Sequence, residues 1–396
     1  MTAPLRPGAH DGRASTPRRW PLPVASARDR REQHRTASPL ELFFDLVFVV
    51  AISLASAELH HALSSGHVAD GLVVYAAVFF AVWWAWVNFT WFASAFDTDD
   101  WLYRLLTFVQ MAGVLLLAAG VPDAFADHDL TLITLGYVVM RLAVVVQWLR
   151  AAGGNEALRS AASRYAVGTT VVQVGWTVRL HLTDQGGWWT FLVLAAVELL
   201  VPAWAERAQR TPWHPHHIAE RYGLFTLIVL GESILASVNA LVEAVHDSHD
   251  PGDLLVLAIS SFVVAAGLWW VYFFGEHHRR LDGVRSGIVY GYGHYFVFGA
   301  AGALSAGVEV VIDHRGGDGE LSSTATAAVI TLPVTVFLVA VWCLVLRHEL
   351  SAARGAVVLV LSVATSAGAL TPRPVLACAV LLAVTVAVLE RARATS

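Results

Sequence analysis

From residue 39 onward, long apolar runs alternate with short polar connections. Twelve runs are predicted as helices, at roughly 40–61, 70–93, 102–121, 129–150, 164–181, 187–205, 220–243, 253–275, 288–312, 325–347, 355–371 and 374–390. Each is close to the ~20 residues that span a hydrocarbon core. A helix satisfies its backbone groups within its own segment, whereas barrel strands would give short alternating runs. The expected fold class is therefore an all-α polytopic membrane protein. The stretch TSAGALTPRP (365–374) between the last two runs also fits a tight hairpin tip.

Composition agrees with this pattern: the chain is 56% hydrophobic and 14% charged, against roughly 45–50% and 25% for soluble domains. Residues 1–38 are rich in Arg, Pro, Ala and Ser and read as a disordered cytoplasmic tail. No apolar stretch follows Arg18 and Arg19, which argues against an export signal there. The 26 basic residues are all arginine. Arg141 and Arg179 lie within runs, and the outward connections hold only Arg315 and Arg373. The others, Arg221 among them, fall in the tail, the inward connections and the C-terminal end. This asymmetry predicts that both termini are cytoplasmic. Cys343 and Cys378 sit in apolar runs and read as inert buried thiols.

The two halves echo each other. ELFFDLVFVVAIS (41–53) is echoed in ERYGLFTLIVLGES (220–233), VWWAWVNFTWF (82–92) in LWWVYFFGE (268–276), and YVVMRLAVVVQWLR (137–150) in PVTVFLVAVWCLVLR (333–347). The expected organisation is two related six-helix halves, 39–205 and 220–391, joined by a cytoplasmic linker at 206–219 and followed by a short end at 392–396. Such halves usually meet around a midplane site.

Charged side chains at depth cost about 2.5–3.5 kcal/mol each on insertion scales, so they are the candidate functional groups. Glu232 lies near the middle of its helix beside Gly231, a residue that permits close helix approach. Arg141 and Glu198 are comparably deep, and Arg141 is expected to pair with Glu198 or Glu232. Glu41 and Asp45 share one helix face at i,i+4 and would hold a proton, a cation or an arginine between them. Glu41 also fits a first-turn role, where a helix N-terminus favours anions. His294, flanked by glycines, reads as a hydrogen-bonded core histidine or a proton relay. The acidic FDTDD loop (96–100) reads as a helix cap, with Asp99 or Asp100 as the cap, or as a pore-mouth feature. WHPHHIAER (213–221) reads as an interfacial turn anchored by Trp213, since it lacks a complete metal-ligand set. No metal or other cofactor is expected. No nucleotide cradle is visible, so ATP is not expected to drive the protein, and no nucleophile–base set is visible, so no enzyme is expected; no nucleic-acid partner is expected.

ELFFDLVFVVAIS together with HIAERYGLFTLIVLGES resembles the bacterial low temperature requirement protein A (LtrA) family, and the FDTDD loop and the WW of the second helix fit it too. By position, Glu41, Phe43, Phe44 and Asp45 match the first motif, and Glu220, Gly223, Glu232 and Ser233 the second. LASA (54–57) stands where members often carry a QLSH-like end. The resemblance implies a bacterial cell-membrane protein linked to growth in the cold, with no defined activity. FFDLVFVVAIS is also similar, over about a dozen residues, to the first helix of a six-helix-repeat potassium channel family. The expected function is a transporter of ions or small solutes, with Asp45 and Glu232 as equivalent carboxylates and Arg141 and Glu198 as charge partners. A cation channel and a structural membrane protein are the alternatives. The lipid bilayer and an ion or small solute are the expected partners.

Overall fold

A computed structural model describes Ala25, Ala27, Arg28 and residues 36–96, 98–182, 187–246, 251–317 and 319–394. Among these the architecture is all-α. The helices are α1 (Pro39–Ser64), α2 (Val68–Ala95), α3 (Trp101–Ala119), α4 (Val121–Asp127), α5 (Thr131–Gly154), α6 (Arg159–Arg179) and α7 (Gly187–Glu206). They continue as α8 (Pro215–His246), α9 (Pro251–Tyr272), α10 (Val284–Gly316), α11 (Ser323–Val341), α12 (Arg347–Glu349), α13 (Ala352–Ala367) and α14 (Pro374–Arg393). A π-helical turn, Trp342–Leu346, joins α11 to α12.

Eleven spans among the described residues are long and apolar enough to cross a membrane, with α3–α4 and α11–α12 each counted as one. The predicted segment at 164–181 is also a helix, α6, but Arg159, Arg164 and Arg179 together with its Ser, Thr and Gln residues make it too polar for that set. The protein is thus a polytopic helical membrane protein, as the apolar runs predict. The hairpin-tip reading of 365–374 is met in part: a 3-10 turn, Gly368–Leu370, and a short connection separate α13 from α14.

Local sequence explains the helix ends. Ser38 caps α1: its Oγ accepts from the Glu41 N–H at 3.3 Å, and Glu41 Oε2 accepts from the Ser38 N–H at 2.7 Å. Asp100 caps α3 by accepting from the Tyr103 N–H at 2.9 Å, and it also pairs with Arg150. Asp99 pairs with Arg104 instead, at 2.9 Å. Of the stretch read as a tail, Ala25 is buried and the Arg28 N–H donates to the Ala95 carbonyl at 3.1 Å. Apart from Ala27, the other residues of 1–35 lie outside the described residues.

Packing falls into two groups. α1 to α7 pack largely on one another, as do α8 to α14, and the groups meet where α1 and α2 lie against α8 and α10. At this seam tyrosines donate to carbonyls across helices: Tyr75 to Gly299 at 2.9 Å and Tyr292 to Leu199 at 2.6 Å. Buried hydroxyls thereby find partners where water is scarce.

The closest backbone approach useful for a test joins α3 to α5. A Cβ on Gly136 would stand 2.5 Å from both the Gly113 carbonyl oxygen and the Leu117 nitrogen. Gly136→Val is therefore expected to force these helices apart, at a cost of about 1–3 kcal/mol. Thermal unfolding in detergent checks this; an unchanged midpoint would mean that α3 and α5 do not cross so closely.

Candidate functional site

The first helices of the two groups, α1 and α8, each carry polar residues four apart. Both helices start at the same end of the bundle, since the chain reverses six times between them, α3 and α4 running on as one span. Glu41 and Asp45 of α1 meet His217 and Arg221 of α8 in matching i,i+4 register. Arg221 Nη2 lies 2.5 Å from Asp45 Oδ1, and Nη1 lies 3.1 Å from Glu41 Oε1. His217 Nε2 lies 3.2 Å from the same Glu41 oxygen. Trp86 of α2 donates its indole N–H to Asp45 Oδ1 at 2.7 Å. All five side chains are buried, with Asp45, Arg221 and His217 fully so. The Arg221 guanidinium lies 5.9 Å from the Trp86 ring centroid and 6.0 Å from that of Phe89, within cation–π range. Asp45 Oδ2 is buried with no hydrogen-bond partner among the described residues.

The sequence offers an arginine between Glu41 and Asp45 as one alternative, and Arg221 takes that place, but neither it nor His217 is legible as the partner. Arg221 was assigned to an inward connection, and the helix was expected to begin at 220. In fact α8 begins at Pro215, which brings His217 and Arg221 inside it. The signal was present: proline favours the first helical position, whereas an apolar-run criterion passes over WHPHHIAER.

The remaining predicted residues are elsewhere. Glu232 lies eleven residues beyond Arg221 on α8, roughly 17 Å along the axis at 1.5 Å per residue. It is half-buried. Neither Asp45 nor Glu232 lines any of the three cavities described among these residues. Gly231 does not mediate close helix contact either, since a Cβ there would meet nothing within 4 Å. Ser233 donates to the Ala301 carbonyl at 3.4 Å, and the nearby Asn239 donates to Glu309 at 2.8 Å.

Arg141 pairs with Glu198 at 3.0 Å, which resolves the choice of partner. Glu198 also accepts from Gln173 at 3.3 Å and from Trp176 at 3.1 Å. This second buried cluster joins α5, α6 and α7 and does not serve Asp45 or Glu232 as a counter-charge. Among the motif residues, Phe44 is buried and stacks on Phe89 at 3.8 Å, whereas Phe43 is 52% exposed and faces outward. Glu220 accepts from the Ala37 N–H at 3.3 Å. Gly223 lies under the Phe273 ring, 3.1 Å from where a Cβ would stand.

His294 belongs to a closed ring of hydrogen bonds. Tyr272 O–H donates to His294 Nε2 at 2.9 Å, and His294 Nδ1 donates to the Tyr290 carbonyl at 2.7 Å. Tyr290 O–H donates to His277 Nδ1 at 2.9 Å, and His277 Nε2 donates to the Tyr272 carbonyl at 2.7 Å. The carbonyls only accept, which fixes both tautomers. Both nitrogens of His294 are engaged, so it offers no lone pair to an ion. His294 is a core histidine.

His277 sits in the connection between α9 and α10, where burial pushes its imidazole down from 6.5 to about 4. An unfolded chain takes up this proton below 6.5 and the folded chain does not. The stabilisation is complete above 6.5 and is lost as the pH falls through about 4. Unfolding midpoints measured in detergent from pH 7 to 4 are expected to fall, and His277→Gln to flatten the slope. The full loss is roughly 3 kcal/mol; a His277→Gln slope equal to the parent's would refute this.

With this geometry in view, comparison with known proteins places the chain. Residues 36–390 match the sequence pattern described as bacterial low temperature requirement A protein (LtrA). The chain belongs to the LtrA family. An uncharacterized protein of Rhizobium meliloti (strain 1021) is 29% identical over 265 residues, covering 64% of this chain and 62% of that protein. The matched family region holds both halves of the buried cluster, Glu41 with Asp45 and His217 with Arg221.

Proposed function

We propose that this LtrA-family protein transports ions or small solutes and is not an enzyme, and that the Glu41–Asp45–His217–Arg221 cluster binds the coupling proton. The observation that carries this reading is Asp45 Oδ2, a fully buried carboxylate oxygen without a hydrogen-bond partner among the described residues. Such atoms are uncommon in folded proteins and call for a reason. Charge counting supplies one. With both carboxylates ionised, Arg221 charged and His217 neutral, the cluster holds one net negative charge, and one proton neutralises it. An uncompensated charge away from water is expensive, so a proton is a natural species to take up and release here. Its exchange would alter the pairing between α1 and α8, where the two helix groups meet. The relative motion of two such bundles is a recognised basis for alternating access.

The test is proton-coupled flux in proteoliposomes, followed by an internal pH dye under imposed ion gradients. Asp45→Asn is expected to bring flux to the protein-free baseline while the protein stays folded, because Arg221 keeps Glu41 as its partner. Parent-level flux in Asp45→Asn would defeat the proposal. A second reading has one observation in its favour: the cluster lines neither of the two largest cavities described. On that reading it is a strut in a structural membrane protein that supports growth in the cold. Asp45→Asn would then lower the unfolding temperature of a protein that moves nothing in liposomes.

A further inference from the structure

Arg315 and Arg373 are the arginines that break the charge asymmetry of the connections. The structure brings them together at the end of the bundle opposite the Glu41–Arg221 cluster. Arg373 Nη2 lies 2.9 Å from Asp253 Oδ1, and Arg315 Nη1 donates to the Asp253 carbonyl at 2.9 Å and lies 3.8 Å from Oδ2. Among the described contacts one carboxylate thus meets two guanidiniums, a net charge of one positive over these three groups.

Both arginines line a cavity of about 230 Å³ between α9, α10, α11 and α14. This exceeds the roughly 150 Å³ of an engineered cavity that admits benzene. The rest of its polar lining includes His314 and the hydroxyl residues Ser260, Ser323 and Thr326, and none of its described lining residues is acidic. The first turns of α11 and α14 also form part of the wall, and a helix N-terminus carries partial positive charge. Two guanidiniums, hydroxyl donors and two helix N-termini around an acid-free space all favour the same sign of ligand.

We propose that this cavity is a binding site for a small oxyanion, of the carboxylate or phosphate class. Asp253 occupies Arg315 and Arg373 at the mouth and competes with the ligand for them. The site is separate from the proton-binding cluster, and neither proposal depends on the other.

The test is calorimetric titration of the full chain in detergent with sodium phosphate and, separately, sodium acetate, against sodium chloride at equal ionic strength. Saturable binding of either probe is expected, and the tighter one identifies the class. Arg315→Gln and Arg373→Gln are each expected to weaken binding about tenfold, the worth of one hydrogen bond to a charged group. Arg285→Gln, at the other end of the bundle, is expected to change nothing. Asp253→Asn is the decisive variant: it removes the competitor and is expected to tighten binding, whereas loss of a simple strut would not. The proposal is overturned if neither probe binds saturably, if both arginine variants bind as the parent does, or if Asp253→Asn fails to tighten binding.

Discussion

Arg221→Gln is expected to destabilise the protein by about 3–5 kcal/mol, the usual cost of removing one partner from a buried ion pair. Among the described residues Arg221 is the one cation in contact with both Glu41 and Asp45, and it is fully buried. Without it, two carboxylates one helical turn apart lose their shared counter-charge, and α1 loses both Arg221 contacts to α8 while His217 still faces Glu41. Denaturation in detergent measures the loss. The double variant Arg221→Gln with Asp45→Asn is expected to recover about 1–3 kcal/mol, since residues in one charge network are strongly non-additive. Equal stability of the single and double variants would mean that Arg221 and Asp45 are not coupled, and would remove the physical basis of the cluster.

The second large effect is expected at Glu198. Glu198→Gln leaves the Arg141 guanidinium buried without its counter-ion, again at about 3–5 kcal/mol. Arg141 Nε and Nη1 already lack hydrogen-bond partners among the described residues, so little else nearby compensates the charge. Replacing the pair together, as Arg141→Met with Glu198→Leu, is expected to be far milder, because well-packed apolar pairs often match or exceed a buried salt bridge in stability. The same double variant tests function. Unchanged flux would make this cluster a strut between α5, α6 and α7, and lost flux would bring it into the transport cycle.

The sequence by itself determined the class of fold, the run of helices and the residues worth asking about. Apolar runs near spanning length admit few other structures in lipid, because each backbone group must be paired within its own segment. Depth along a run was enough to single out Glu232, Arg141 and Glu198, and i,i+4 spacing singled out Glu41 with Asp45, because burying a charge in an apolar setting demands a reason. Partnership was not legible. Only the tertiary structure decided that Asp45 meets Arg221, that Glu232 stands apart on the same helix, and that Arg141 takes Glu198. Apolar periodicity records how far along a helix a residue lies. Which helix faces it depends on the packing of distant segments, and this chain brings residues 45 and 221 together across most of its first helical group. The start of α8 at Pro215 carries the same lesson: His217 and Arg221, in a stretch more polar than a membrane segment should be, lie in its first two turns, where Glu41 and Asp45 receive them.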